Sequence, residues 1–128
     1  MRDLMQAYAN FVKSRAKEFP NGYENLLHAA VGCSTEAGEF LDTMKKVWVY
    51  GQALSHVNKE GQSHFQNIDE ELGDMLFYIQ LACNAVGTDI ESLVRANMAK
   101  LAKRYPVGYS DKDAATRADK NDPVPVSK

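Results

Sequence analysis

The chain has 128 residues, the length of one ordinary domain. Its hydrophobic fraction of 45% and charged fraction of 25% are those of a globular protein, which excludes wholesale disorder. A formal net charge of −2, from 17 acidic and 15 basic residues, provides no positive field for nucleic acid. No apolar run approaches the roughly 20 residues that a membrane helix needs. We therefore expect neither a nucleic-acid partner nor a membrane partner.

The N-terminal residues and the cysteines indicate the compartment. The first residues contain no apolar segment of the signal-peptide type, so we expect a cytoplasmic protein. Cys33 and Cys83 lie far apart in apolar surroundings and outside any C-x-x-C pair. We interpret both as reduced, buried side chains.

Apolar residues recur at three- and four-residue spacings along most of the chain, and no segment alternates as a strand does. This pattern predicts an all-α protein. The first predicted helix covers residues 2–19 and stops at Pro20. The second covers residues 23–50 and ends at Gly51. We expect its buried stripe to be Leu26, Ala30, Cys33, Ala37, Leu41, Met44 and Val47 or Trp48.

The polar segment 52–66 is long for a loop in a compact domain, which indicates mobility or function. We expect its His56 and His64 to be solvated. Asn67, with Glu70 three residues later, predicts the cap of a third helix. Gly87 ends that helix, whose predicted buried stripe is Ile68, Leu72, Met75, Ile79, Ala82 and Val86.

A fourth helix is predicted over residues 89–105, where Pro106 follows, and a short fifth over residues 110–119. We therefore expect a bundle of four to five helices. One helical domain should span residues 1–119, followed by a flexible tail at 120–128.

An acidic pattern occurs twice, as Glu36-Ala-Gly-Glu39 and as Glu71-Leu-Gly-Asp74. Residues three apart on a helix face one direction, and like charges at that spacing repel. A glycine inside a helix costs about 1 kcal/mol relative to alanine, so the repeated pattern needs a reason.

Both acid pairs lie beside the predicted apolar stripes, at the edge of the core, where neighbouring helices can bring them together. Four carboxylates gathered in one place require a divalent cation, and oxygen ligands suit Mg²⁺ or Mn²⁺ better than Zn²⁺. The alternative is two solvated acidic faces.

The chain resembles the MazG-like nucleoside triphosphate pyrophosphohydrolases of the all-α NTP pyrophosphatase superfamily. It is similar in particular to the short, single-domain versions that bacteriophages encode. The segments that carry the resemblance are His28-Ala-Ala-x-Gly32, Thr35-Glu-Ala-Gly-Glu39, Asp69-Glu-Glu-Leu-Gly-Asp74 and Asn97-x-x-Lys100-Leu-x-x-Arg104-Tyr-Pro106.

The resemblance implies hydrolysis of an NTP or dNTP to the monophosphate and pyrophosphate, in nucleotide-pool control or house-cleaning. It implies Mg²⁺, with Mn²⁺ as a substitute, held by Glu36, Glu39, Glu71 and Asp74. Glu39 and Glu71 are the catalytic candidates, and Glu39 is the preferred base. The resemblance also implies a homodimer or homotetramer, in which a partner copy completes the helical bundle around each site. The long segment 52–66 departs from the family pattern and leaves substrate choice open.

Asn97, Lys100 and Arg104 share one face of the predicted fourth helix and are candidates for phosphate contact. A basic stripe near a helix C-terminus is also expected simply because it offsets the helix dipole.

Three aromatic side chains are candidates for contact with the nucleoside or its phosphates: His28, Tyr78 and Trp48. Packing within the core is the alternative for each of them.

Two other functions fit the same residues. One is a non-catalytic helical adaptor whose acidic edge docks a basic partner, although such a face needs neither the embedded glycines nor the basic stripe. The other is a related pyrophosphohydrolase that acts on phosphoribosyl-ATP or a signalling nucleotide.

Overall fold

The computed structural model describes residues 2–120, so the predicted tail, apart from Lys120, lies outside the described residues. Over that range the chain forms five α-helices and no strand, and an isolated antiparallel bridge joins Val57 to Ser63. The prediction of an all-α protein is confirmed. The helices are α1 Arg2–Arg15, α2 Gly22–Trp48, α3 His64–Val86, α4 Ile90–Arg104 and α5 Asp111–Thr116, followed by a 3-10 helix at Ala118–Lys120. None of them is long and apolar enough, within residues 2–120, to cross a membrane.

The chain divides into two compact units between Ile90 and Glu91. In the first unit α3 packs along α2 and, over a shorter stretch, against α1. Each of these helices places one side chain in the buried core: Val12, Ala29 and Leu81. The core is small, and partly buried residues such as Tyr8 and Phe77 extend it.

Helix α1 ends at Arg15, four residues before the predicted end. The backbone N–H of Phe19 donates to Oδ1 of Asn25 at 2.8 Å, which holds the connecting segment against the start of α2. Asn21 then caps α2 by accepting a hydrogen bond from the backbone N–H of Glu24, also at 2.8 Å. These side-chain contacts draw the chain out of the helix before Pro20.

The buried face of α2 and α3 is not the predicted stripe. Leu41 is 69% exposed and Leu72 is 44% exposed, and Leu26 is also exposed. The buried positions are instead Ala29, Gly32 and Thr43 on α2, and His64, Glu71, Gln80, Leu81 and Cys83 on α3. Helix α2 has apolar residues on more than one side, so its periodicity admits more than one inward face. The close contact with α3 selects the face with small residues.

Helix α3 begins at His64, and the predicted cap at Asn67 with Glu70 is wrong. The capping box is formed by Ser63, whose Oγ accepts from the N–H of Gln66, while Oε1 of Gln66 accepts from the N–H of Ser63 at 2.8 Å. Asn67 therefore lies within the first turn of the helix, and its side chain bonds elsewhere.

The loop between α2 and α3 folds back on itself. Backbone N–H groups of Asn58 and His64 donate to the carbonyls of Gln62 and His56 at 2.9 and 3.2 Å. Oδ1 of Asn58 accepts two further backbone N–H groups, from Glu60 and Gln62. These hydrogen bonds give the loop a defined conformation within the first unit.

In the second unit, Arg104 at the end of α4 forms a bidentate ion pair with Asp119 in the 3-10 helix, at 2.6 and 2.8 Å. Ser110 caps α5 by accepting from the N–H of Asp113. The short helix predicted over residues 110–119 thus resolves into α5 and the 3-10 helix.

Candidate active site

Helices α2 and α3 bring carboxylates together across their contact. One oxygen each from Glu36, Glu71 and Asp74 lies within 4.8 Å of the others. Residues from both acidic pairs therefore share one location, as the sequence pattern predicts for convergent pairs.

Glu71 is the centre of this group. Its side chain is buried, with the residue 6% exposed. Burial is the main cause that raises the pKa of Glu71, and the negative charges of Glu39, Glu36 and Asp74 raise it further. The other three predicted acids are thus close to the Glu71 carboxyl group, although Glu39 and Asp74 are themselves exposed.

Asn67 connects the two helices beside these acids. Its Nδ2 donates to Oγ1 of Thr43 at 2.8 Å and to Oε1 of Glu71 at 3.3 Å. Thr43 is 2% exposed, so this contact is shielded from water. Asn67 was not among the site residues predicted from the sequence. The available signal was its position four residues before Glu71, which places both side chains on one helix face.

An open pocket lies beside the acids and is lined by Glu39, Glu71, Thr43, Asn67, Asp42, Lys46 and Gly38. Asp42 forms ion pairs with Lys45 and Lys46 at 2.8 and 2.9 Å. Hydrogen bonds from these two ammonium groups lower the pKa of Asp42 to about 2. The pocket lining therefore combines three acidic side chains with one ammonium group, that of Lys46.

Helix α1 contributes Tyr8 to the same region. Burial raises the pKa of the Tyr8 hydroxyl, and the negative charge of Asp74 raises it further. Tyr8 is therefore a neutral hydroxyl close to the acidic group.

His28 and Tyr78 lie together in an aromatic cluster. Their ring centroids are 5.7 Å apart in an edge-to-face arrangement. The ring centroid of Phe19 lies 5.4 Å from that of His28, also edge-to-face. Nδ1 of His28 is buried and has no hydrogen-bond partner within the described residues. Tyr78 covers Gly32 so closely that any Cβ there would overlap its ring.

The other predicted substrate residues have different surroundings. Trp48 is 85% exposed at the end of α2. Asn97 and Lys100 are exposed on α4, in the second unit. Arg104 is held by Asp119, whose side chain is only 1% exposed.

Two side chains depart from expectation. His64, expected to be solvated, is 7% exposed, and its Nε2 lies 2.7 Å from Oε1 of Gln52. Cys83 is buried as expected while Cys33 is half-buried, and both are free thiols in the described part of the chain.

The glycines inside the acidic patterns are not explained by packing. An added Cβ at Gly38 or Gly73 would meet no atom within 4 Å among residues 2–120. The close-packed glycine is Gly32 instead.

The fold and the acidic group define an all-α protein with a candidate divalent-cation centre. The family description "MazG nucleotide pyrophosphohydrolase domain" matches residues 24–109, a range that contains both acidic patterns. The chain belongs to this family, so the resemblance found in the sequence is confirmed. Comparison with curated proteins and with solved structures gave no match.

Proposed function

We propose that this protein hydrolyses nucleoside triphosphates, preferentially deoxynucleotides, to the monophosphate and pyrophosphate in nucleotide-pool control or house-cleaning. The observation that carries the proposal is the convergence of Glu36, Glu71 and Asp74 from two helices, with Glu39 close enough to raise the pKa of Glu71. This convergence lies within the range that matches a nucleotide pyrophosphohydrolase domain.

The four acids fit a divalent cation by their chemistry. A buried carboxylate such as Glu71, with further carboxylates beside it, is unfavourable unless a positive charge offsets the repulsion. Hard oxygen donors suit Mg²⁺, with Mn²⁺ as a substitute. Glu36, Glu39, Glu71 and Asp74 would hold the cation. When bound, it supplies neutralisation of the negative charge on the substrate phosphates.

The chain's own residues have separate tasks in this proposal. Glu39, exposed at the open pocket, accepts the proton of the attacking water. Asn67 orients Glu71 through its hydrogen bond to Oε1. Glu71 and Glu39 are thus the two proposed catalytic carboxylates.

Substrate contacts are proposed for the remaining candidates. His28 would contact the base or sugar, and Tyr78, which packs against it, would bond a phosphate or the sugar. Trp48 is exposed enough to stack on a base. Asn97 and Lys100 would contact phosphates. Arg104 would do so only by exchanging Asp119 for a phosphate group.

A homo-oligomer, either a dimer or a tetramer, is also part of the proposal. Leu27 and Val31 on α2 are about half exposed, at 49% and 53%, and Leu76 on α3 is 48% exposed. Apolar faces of this kind are typical of surfaces that a second copy of a chain covers.

The test is a panel of NTPs and dNTPs with Mg²⁺, extended to phosphoribosyl-ATP and a signalling nucleotide, with pyrophosphate and orthophosphate measured separately. We expect pyrophosphate release from at least one dNTP. Release of orthophosphate alone, or of neither product, would contradict the proposal.

Glu39→Gln and Glu71→Gln should each reduce pyrophosphate release by about 100-fold or more, because each removes a proposed catalytic carboxylate. Glu70→Gln is the matched control. Glu70 adjoins Glu71 in sequence, but it is exposed and accepts a hydrogen bond from Gln62. Equal losses in all three variants would show that the acidic group is not specifically required.

A further inference from the structure

The loop between α2 and α3 lines a second pocket, here called the loop pocket. Lys46 from α2, His56 and Lys59 from the loop, and His64 from α3 all line it. His64 is held in a defined position in this lining. Its ring is buried, bonds to Gln52 at 2.7 Å and lies 5.6 Å from the ring of His56.

This loop pocket adjoins the acidic group. Thr43, Lys46 and Asn67 line both the loop pocket and the open pocket that contains Glu39 and Glu71. A ligand that contacts the acids can therefore extend past Thr43 and Asn67 into the loop pocket without leaving the surface of the same unit.

The charges of the loop pocket differ from those of the acidic group. Its lining includes two ammonium groups, from Lys46 and Lys59, and one carboxylate, from Glu60. Asp42 bonds both Lys45 and Lys46, so Lys45 keeps Asp42 paired when Lys46 turns towards a ligand. Ammonium and imidazole N–H groups are donors that suit phosphate oxygens.

We propose that the loop pocket receives the terminal phosphates of the substrate, the pair that leaves as pyrophosphate. The proposal rests on the proposed function and extends it: the loop selects substrates that carry a phosphate tail long enough to reach Lys46 and Lys59. In this arrangement the scissile bond lies beside the acidic side chains, and the pyrophosphate leaving group occupies the loop pocket.

Inorganic pyrophosphate with Mg²⁺ is the probe, and the imidazole resonances are the readout. The chain has three histidines, which makes their assignment direct. Pyrophosphate should shift the side-chain signals of His56 and His64 in a titration followed by NMR. The signal of His28, in the aromatic cluster, should remain in place.

Charge variants of the intact protein measure the same binding by calorimetry. Lys59→Gln should weaken pyrophosphate binding about fivefold, because it removes a charge-assisted contact, and Glu60→Gln should tighten it about twofold. Lys13→Gln is the matched control. Lys13 is an exposed lysine of α1 in the same unit and lies outside the lining of both pockets, so this variant should leave the affinity unchanged.

Two results would overturn the inference. One is a pyrophosphate titration that leaves His56 and His64 unshifted. The other is an unphosphorylated deoxynucleoside that shifts them, since the pocket would then hold the base or sugar. Either result can occur while the wild-type protein still releases pyrophosphate from a dNTP, so failure of this inference is distinguishable from failure of the proposed function.

Discussion

Glu71 has surroundings that differ from those of every other acid in the candidate site. It is buried, it faces three further carboxylates, and it accepts a hydrogen bond from the uncharged side chain of Asn67. A carboxylate in this position has few ways to be stabilised by its own chain. This imbalance at a single residue is the physical reason to expect a cation there.

Asn67 is expected to position Glu71 for the cation. Asn67→Ala removes the hydrogen bonds to Thr43 and Glu71, and it should weaken Mn²⁺ binding about tenfold in a titration followed by electron paramagnetic resonance. Asn84→Ala is the control, because Asn84 also lies on α3 and donates across a helix contact, to the carbonyl of Ala9 at 3.1 Å. Both variants should lower the melting temperature. An equal loss of Mn²⁺ affinity in both would reduce Asn67 to a structural role.

At the scale of the element, the contact between α2 and α3 depends on small residues. Ala29 and Gly32 are buried on α2, and Tyr78 of α3 lies over Gly32. Tyr78 also contacts His28 and Phe77, so the ring is confined from several sides. The register of the two helices, and with it the meeting of the acidic pairs, follows from this close contact.

Gly32→Ala and Gly38→Ala should change stability in opposite directions. A methyl group at Gly32 overlaps the Tyr78 ring, and the strain should lower the free energy of unfolding by about 1–3 kcal/mol. At Gly38 the space is open and alanine is the better helix former, so the metal-free protein should gain up to about 1 kcal/mol. Urea unfolding followed by circular dichroism measures both. Stabilisation by Gly32→Ala would contradict the packing described.

The ion pair of Arg104 and Asp119 connects α4 to the 3-10 helix, and it should break only at strongly acidic pH. Hydrogen bonds from Arg104 lower the pKa of Asp119 from 3.8 to about 2. A carboxyl group whose pKa is lower in the folded state stabilises the fold above its unfolded pKa. The pair should therefore be fully formed above about pH 4 and be lost as the pH falls through about 2.

The Nε–H resonance of Arg104 tests this pH dependence between pH 6 and pH 3. It should stay shifted by its hydrogen bond to Oδ1 of Asp119, at 2.6 Å, across that range. Arg15 provides the reference, because it is exposed on α1 with its guanidinium over the Phe11 ring. Movement of the Arg104 signal to the position of the Arg15 signal at pH 4 would contradict the prediction.

At the scale of the whole molecule, much apolar surface remains exposed. On α2, Leu27, Val31 and Leu41 are 49%, 53% and 69% exposed. On α3, Leu72 and Leu76 are 44% and 48% exposed. Exposed apolar side chains on two neighbouring helices are better explained by association than by isolated surface residues.

Light scattering at micromolar concentration should therefore give the mass of a dimer or tetramer. Val31→Glu places a charge on the exposed face of α2 and should shift the protein towards the monomer. Val107→Glu is the control, because Val107 is 99% exposed and lies outside α2 and α3. A wild-type monomer with full activity would contradict a site that needs two copies.

The sequence by itself determined the all-α class, the family and the two acidic patterns. Each of these depends on residues a few positions apart, where helical periodicity is a sufficient guide. The close agreement between the predicted fourth helix, 89–105, and α4 shows the same local control. The family could be recognised from the sequence because the motifs that identify it are short segments of this kind.

Only the tertiary structure decided which helix faces are buried and what each polar side chain contacts. Leu41, predicted to be buried, is exposed, whereas Glu71, predicted to lie at the edge of the core, is buried. The inward faces of α2 and α3 depend on how the two helices pack against each other. The contacts of Asn67 with Thr43, of His64 with Gln52 and of Arg104 with Asp119 likewise join residues that local spacing does not identify. Spacing along a helix determines which side chains share a face, whereas packing between helices determines what that face meets.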